Sequence, residues 1–181
     1  MGHLNVEIKA QCSNPATIRA ILRSHGAENR GIDHQVDTYF NVRCGRLKLR
    51  EGAIENALIY YEREDIPEPK QSRVILYQAH PAVVLKDILT KALGIRVIVE
   101  KRREIYVLEN IKLHIDTVHN LGSFVEIEAI DRDGTIGPQQ LWVQCQSLCD
   151  TLDIRPEDFV SGSYSDLLLR QRESVIDPAQ H

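Results

Sequence analysis

Ile111-Lys112-Leu113-His114-Ile115-Asp116 and Phe124-Val125-Glu126-Ile127-Glu128-Ala129 decide the fold of this chain. In each, apolar residues alternate with charged or polar ones, so a β-strand would carry one apolar and one charged face. The same alternation runs through Leu4 to Gln11 and Arg46 to Arg50, and longer strands are expected over Ala57–Asp65 and Ile95–Val107. Helices are fewer. Asn14 and Pro15 open one that Gly26 stops, Pro81 opens a second ended by Gly94, and Pro138 opens a third with Leu141, Trp142, Cys145, Leu148 and Cys149 on one apolar stripe. A short fourth is expected over Tyr164–Gln171, followed by a frayed polar tail. The expected class is α+β, an antiparallel β-dominated sheet with flanking helices.

The 181 residues, 43% hydrophobic and 27% charged, suit one domain with a proper core. The expected domain spans residues 1–172, with 173–181 as a flexible tail. Twenty-two Lys and Arg against 26 Asp and Glu give a net charge of −4, which offers no general attraction to nucleic acid or a membrane surface. No apolar run approaches the ~20 residues that span a bilayer, and Met1 to Asn5 shows no secretory pattern, so a cytoplasmic location is expected. Cys12, Cys44, Cys145 and Cys149 lack metal-site or disulfide-framework spacing and read as reduced structural thiols.

The charged faces carry the functional information. They hold few Ser, Thr or Gln, and they segregate by sign. Arg46, Lys48 and Arg50 stand together, as do Lys101 and Arg103, and Glu126 and Glu128. Like charges at alternate positions of one strand repel unless something neutralises them. If the sheet curls into a barrel with these faces inward, the cations converge on a cavity suited to phosphate oxygens. Glu7, Asp116, Glu126 and Glu128 would offer hard oxygen ligands for Mg²⁺ or Mn²⁺. Other phosphate-handling motifs (GxxxxGK[ST], or GxGxxG after a strand) are missing, as are HExxH and GxSxG.

These blocks resemble the CYTH proteins, or triphosphate tunnel metalloenzymes. Asn5-Val6-Glu7-Ile8-Lys9 resembles their N-terminal ExExK signature. Gln35 to Phe40, Leu47 to Arg50, Val99 to Arg103 and Ile115 to Glu128 follow in family order. The chain is most similar to the class IV adenylate cyclase branch. The resemblance implies an eight-stranded antiparallel tunnel holding a triphosphate with one or two divalent cations. It implies phosphate contacts from Lys9, Lys48, Arg50, Lys101 and Arg103, with Arg63 and Lys70 as weaker candidates. It implies metal ligation by Glu7, Glu126, Glu128 and Asp116, and catalytic roles for Lys9, Lys101, Arg103 and Asp116. The implied reaction is ATP to cyclic AMP and pyrophosphate. Hydrolysis of tripolyphosphate, ATP or thiamine triphosphate is one alternative, and non-catalytic binding is another. A homodimer is implied by the same resemblance alone.

Asn5 departs from the signature by replacing a Glu, which removes a charge from the metal site and keeps the binding-module reading open. Asp37 and Tyr39 fit strand structure as well as substrate contact. His114 reads as an exposed or hydrogen-bonded structural residue, and Trp142 as core. Tyr60 and Tyr61 could stack a base at a tunnel mouth or serve simply as strand formers.

Overall fold

The computed structural model describes residues 2–78 and 82–176. Eight strands close into one barrel in the order β1-β5-β4-β3-β2-β6-β7-β8, every pair antiparallel. They are β1 (Gly2–Gln11), β2 (Glu28–Phe40), β3 (Arg46–Glu51), β4 (Ala57–Arg63), β5 (Lys70–Gln78), β6 (Ile95–Leu108), β7 (Ile111–Val118) and β8 (Gly122–Asp131). Four helices flank them: α1 (Pro15–Ser24), α2 (Ala82–Leu93), α3 (Pro138–Thr151) and α4 (Tyr164–Ile176). Closure removes the unpaired strand edges that an open sheet would expose.

The apolar strand faces point outward, under the helices. Val6, Ile8 and Ala10 of β1, Leu113 and Ile115 of β7, and Val125, Ile127 and Ala129 of β8 are all buried. They pack against Ile18 and Leu22 of α1 and Leu141, Cys145, Leu148 and Cys149 of α3. Asn14 caps α1 by accepting from the Thr17 N–H, and Arg19 ties that helix to the barrel through two hydrogen bonds, of 2.7 and 2.8 Å, to Glu104. All four cysteines are free, and burial pushes the Cys145 and Cys149 thiols up to about 12, so both stay protonated core groups.

The charged faces therefore point into the barrel. One end is plugged by α4. Its Tyr164 and Leu168 pack with Tyr39, Tyr61, Val97, Val99, Val118 and Phe124 on the barrel's inner wall. The opposite end carries the beginning of β1 and the ends of β5 and β8.

Several expectations need correction. Trp142 is 46% exposed: the helix buries Leu141, and a 100° step turns the next residue toward solvent. On α2, Val84, Leu85, Ile88, Leu89 and Leu93 recur at the spacing of one buried helical face, yet only Leu85 and Leu89 pack against Phe40 and Leu49 while Val84 and Ile88 are exposed, because a single row of the helix meets the barrel. Pro81, the expected start of α2, lies outside the described residues. Helix α4 continues to Ile176, so residues 173–176 are helix rather than tail, and 177–181 lie outside the described residues. No helix among the described residues is long and apolar enough to cross a membrane.

Candidate active site

The barrel encloses a cavity of about 600 Å³. Lys9, Lys48, Arg50, Arg63, Lys101, Arg103, Lys112 and Arg132 line it, against the carboxylates of Glu7, Glu55, Glu126 and Glu128. Eight cations thus face four carboxylates, and with Asp37 and Asp116 buried directly behind them the excess is two positive charges. Strand register brings them together: Asp37 of β2 stands opposite Arg50 of β3, Arg103 of β6 opposite Asp116 of β7, and Lys9 of β1 and His114 of β7 flank Glu126 of β8.

Two buried carboxylates organise the cations. Asp37, 1% exposed, accepts from Lys48 Nζ at 3.0 Å, Lys101 Nζ at 2.7 Å, and Arg50 Nε and Nη2 at 2.8 and 2.9 Å. Burial alone would raise its pKa, yet Arg50, Lys101 and Lys48 hold it well below the usual carboxylate range. Lys101 shows the reverse balance. Burial, reinforced by Arg50, Arg103 and Lys48, brings its ammonium down to about 7 despite Asp37. The second organiser is Asp116. It accepts from Arg103 Nε and Nη2 at 2.8 and 2.5 Å and from the Tyr164 hydroxyl at 2.8 Å. Asp116 is fully buried behind Arg103 and does not line the cavity, so it positions that guanidinium and does not face a metal.

The acidic side of the cavity gathers on β1, β7 and β8. Glu126 accepts from Arg103 Nη2 at 2.6 Å and pairs with Lys9 Nζ at 3.2 Å. Against the upward push of burial, Arg103 and Lys9 keep its pKa well below the ordinary value. Glu7 pairs with Arg63, while Glu128 stands beside His114. Donor atoms of His114, Glu126 and Glu128 all lie within 4.8 Å of one another. The hard oxygens of Glu126, Glu128 and Glu7 suit Mg²⁺ or Mn²⁺. Asn5 Oδ1 and both nitrogens of His114 are buried without hydrogen-bond partners, an arrangement that fits a bound cation.

Of the residues expected at the site, Lys9, Lys48, Arg50, Arg63, Lys101, Arg103, Glu7, Glu126 and Glu128 all line this one cavity. Lys70 does not. Its Nζ donates to the Ile66 carbonyl at 2.8 Å, and burial brings it down to about 8. Sequence reasoning missed Glu55, which accepts from Arg50, Lys112 and Gln35. The loop that carries it is shaped by buried Asp33, whose carboxylate accepts from the backbone N–H groups of Ala53, Ile54 and Glu55 at 2.7, 3.1 and 3.0 Å. It also missed Lys112 and Arg132. His114 is corrected from an exposed or hydrogen-bonded residue to a buried, unpartnered one. Tyr61 lines the inner end of the cavity, with its hydroxyl 3.5 Å from that of Tyr39, while Tyr60 bonds Glu62 outside it.

Solved structures share the fold. A Pyrococcus horikoshii protein, PH1012, superposes with a TM-score of 0.75 at 23% identity, over 90% of this chain and 98% of its own. A Vibrio parahaemolyticus protein described as a candidate adenylate cyclase gives 0.71 at 16% identity, over 93% and 99%. Hippeastrum HpAC1, a candidate adenylyl cyclase described as having a dominant triphosphatase activity, gives 0.58 at 14% identity, over 93% and 96%. No curated protein matches the chain. The CYTH domain model matches residues 3–141, and with this barrel and this lining the chain belongs to the CYTH family.

Proposed function

We propose that the cavity binds a triphosphate together with Mg²⁺ or Mn²⁺ and turns it over, and that the reaction is the cyclisation of ATP to cyclic AMP and pyrophosphate. The observation that carries this reading is the excess of cationic side chains over carboxylates in a closed barrel lumen, with the acids collected on one wall. A triphosphate supplies the missing negative charge. Lys9, Lys48, Arg50, Lys101 and Arg103 hold its oxygens at the end plugged by α4, Arg by paired N–H donors and Lys as point charges. The more apolar wall formed by Ile59, Val74 and Leu76 is left for the organic part of the ligand.

Glu126, Glu128 and Glu7 would hold the cation, which when bound acts as a Lewis acid toward phosphate oxygen and lowers the pKa of an attached hydroxyl. In cyclisation the ribose 3′-hydroxyl gives up its proton to solvent, and its oxygen forms a bond to the α-phosphorus as the bond to pyrophosphate breaks. Arg103 and Lys101 are placed to neutralise charge growing on that leaving group, in a site whose donors are already fixed by Asp116 and Asp37. A second reading, hydrolysis, is favoured by one observation. Burial brings the Lys101 ammonium down to about 7, the range suited to exchanging a proton with attacking water at neutral pH.

Product analysis tests both. Incubation of the protein with ATP and Mg²⁺ or Mn²⁺, followed by chromatographic separation, gives cyclic AMP and pyrophosphate under the first reading. ADP or AMP with phosphate products would support the second. Unchanged ATP, with tripolyphosphate and thiamine triphosphate also unchanged in parallel incubations, would overturn turnover altogether.

A further inference from the structure

Among the cavity side chains with a buried, unpartnered polar atom (Asn5, Arg63, Ser72 and His114), His114 alone has two. His114 is 1% exposed, and neither of its ring nitrogens has a hydrogen-bond partner. Polar groups buried without a partner are rare and destabilising, so the position calls for a ligand. Its Nδ1 lies 3.6 Å from Glu126 Oε2 and 3.8 Å from Glu128 Oε1. Those separations are too long for hydrogen bonds, but one ion with bonds of about 2.1 Å can span them. Glu126 has Lys9 and Arg103 as its charged partners, and neither of them reaches His114.

We infer that His114 is a nitrogen ligand, and that it converts an all-oxygen cation site into a mixed imidazole–carboxylate one that selects Mn²⁺ over Mg²⁺. The inference rests on the reading of the cavity as a site for a cation and a triphosphate. Mg²⁺ favours oxygen ligands and gives up its waters reluctantly, whereas imidazole gains affinity along the first transition row. Asn5 adds to the argument. Its buried, unpartnered Oδ1 offers the cavity an oxygen with no charge, so the site draws less on simple attraction and more on ligand type.

The experiment uses the full chain, freed of metal with a chelator and loaded with MnCl₂. Pulsed electron paramagnetic resonance reads ¹⁴N modulation from an imidazole bound to Mn²⁺, independently of any activity. The expected result is a directly coordinated nitrogen in the wild type that disappears in His114→Leu. Calorimetric titration with MnCl₂ and MgCl₂ should show Mn²⁺ preferred by at least about tenfold, narrowing to about threefold or less in His114→Leu and His114→Gln. If the variants do not fold, the wild-type spectrum still tests the inference, with the nitrogen signal expected to persist in His3→Leu, at the other imidazole lining the cavity, and its loss there overturning the assignment. Bound Mn²⁺ with no nitrogen coupling, or a preference that survives both substitutions, overturns the inference. Tripolyphosphate binding that persists in that case leaves the reading of the cavity standing, whereas loss of both Mn²⁺ and tripolyphosphate binding overturns the two together.

Discussion

Asp37→Asn separates electrostatic organisation from substrate contact. In the wild type one buried carboxylate neutralises Lys48, Arg50 and Lys101 at 2.7–3.0 Å. The amide keeps the size and loses the charge. Removing one partner of a buried ion pair costs about 3–5 kcal/mol. For a chain of this length 1 kcal/mol moves Tm by roughly 2–4 °C, so Tm should fall by roughly 6–20 °C. The loss should be larger at pH 6 than at pH 8, because Lys101, already brought down to about 7, can relieve the repulsion at higher pH by releasing its proton. Tripolyphosphate should reverse the effect, since it brings the negative charge the variant lacks. Its affinity at pH 6 should rise by about tenfold, or 1.4 kcal/mol, and saturating ligand should raise Tm more in the variant than in the wild type. Differential scanning fluorimetry and calorimetry read both quantities. An unchanged Tm, or weaker tripolyphosphate binding in Asp37→Asn, would refute the reasoning.

Triphosphate binding should take up a proton above pH 7. Burial lowers Lys101 in the free protein, a bound polyanion favours its ammonium, and so affinity is full below pH 7 and declines as pH rises past it. Calorimetry at pH 8 in buffers of different ionisation enthalpy should detect that uptake, and Lys101→Met should abolish it. Glu126→Gln keeps the side chain's shape but should weaken Mn²⁺ binding by about tenfold or more, 1.4 kcal/mol, in a direct titration. Gly52→Ala should destabilise by about 1–3 kcal/mol, because a Cβ there would stand 2.5 Å from Asp33 Oδ2 and disturb the loop that presents Glu55; chemical denaturation measures it. Leu141→Ala, emptying a fully buried position between α3 and the barrel, should cost about 2–5 kcal/mol in the same assay.

The barrel was legible wherever a strand keeps its two faces chemically distinct. β1, β3, β7 and β8 do so, and their segregated charges pointed to an interior site before any strand was paired. β2 is harder to read because its buried face is polar: Asp33, Gln35 and Asp37 point inward, while Ile32 is 48% exposed. In β5, Val74 and Leu76 line the cavity while Ile75 and Tyr77 face solvent, so apolar residues occupy both faces and the alternation vanishes. Non-local facts were out of reach. Asp37 becomes an organiser only because β2 lies between β3 and β6, and Asp116 turns from a ligand candidate into a support because Tyr164 arrives from α4. Alternation did place His114 on the charged face, but its burial follows from barrel closure. Glu55 reaches the cavity from a loop, where spacing carries no information.

The central claim is that this lumen is a triphosphate site, and its most direct test is a calorimetric titration of tripolyphosphate, with MnCl₂ present, into wild type and Lys101→Ala. Saturable one-to-one binding to the wild type, weakened by about tenfold or more when the buried ammonium is removed, is the expected result. Equal affinity in the two proteins, or no binding to either, would contradict it.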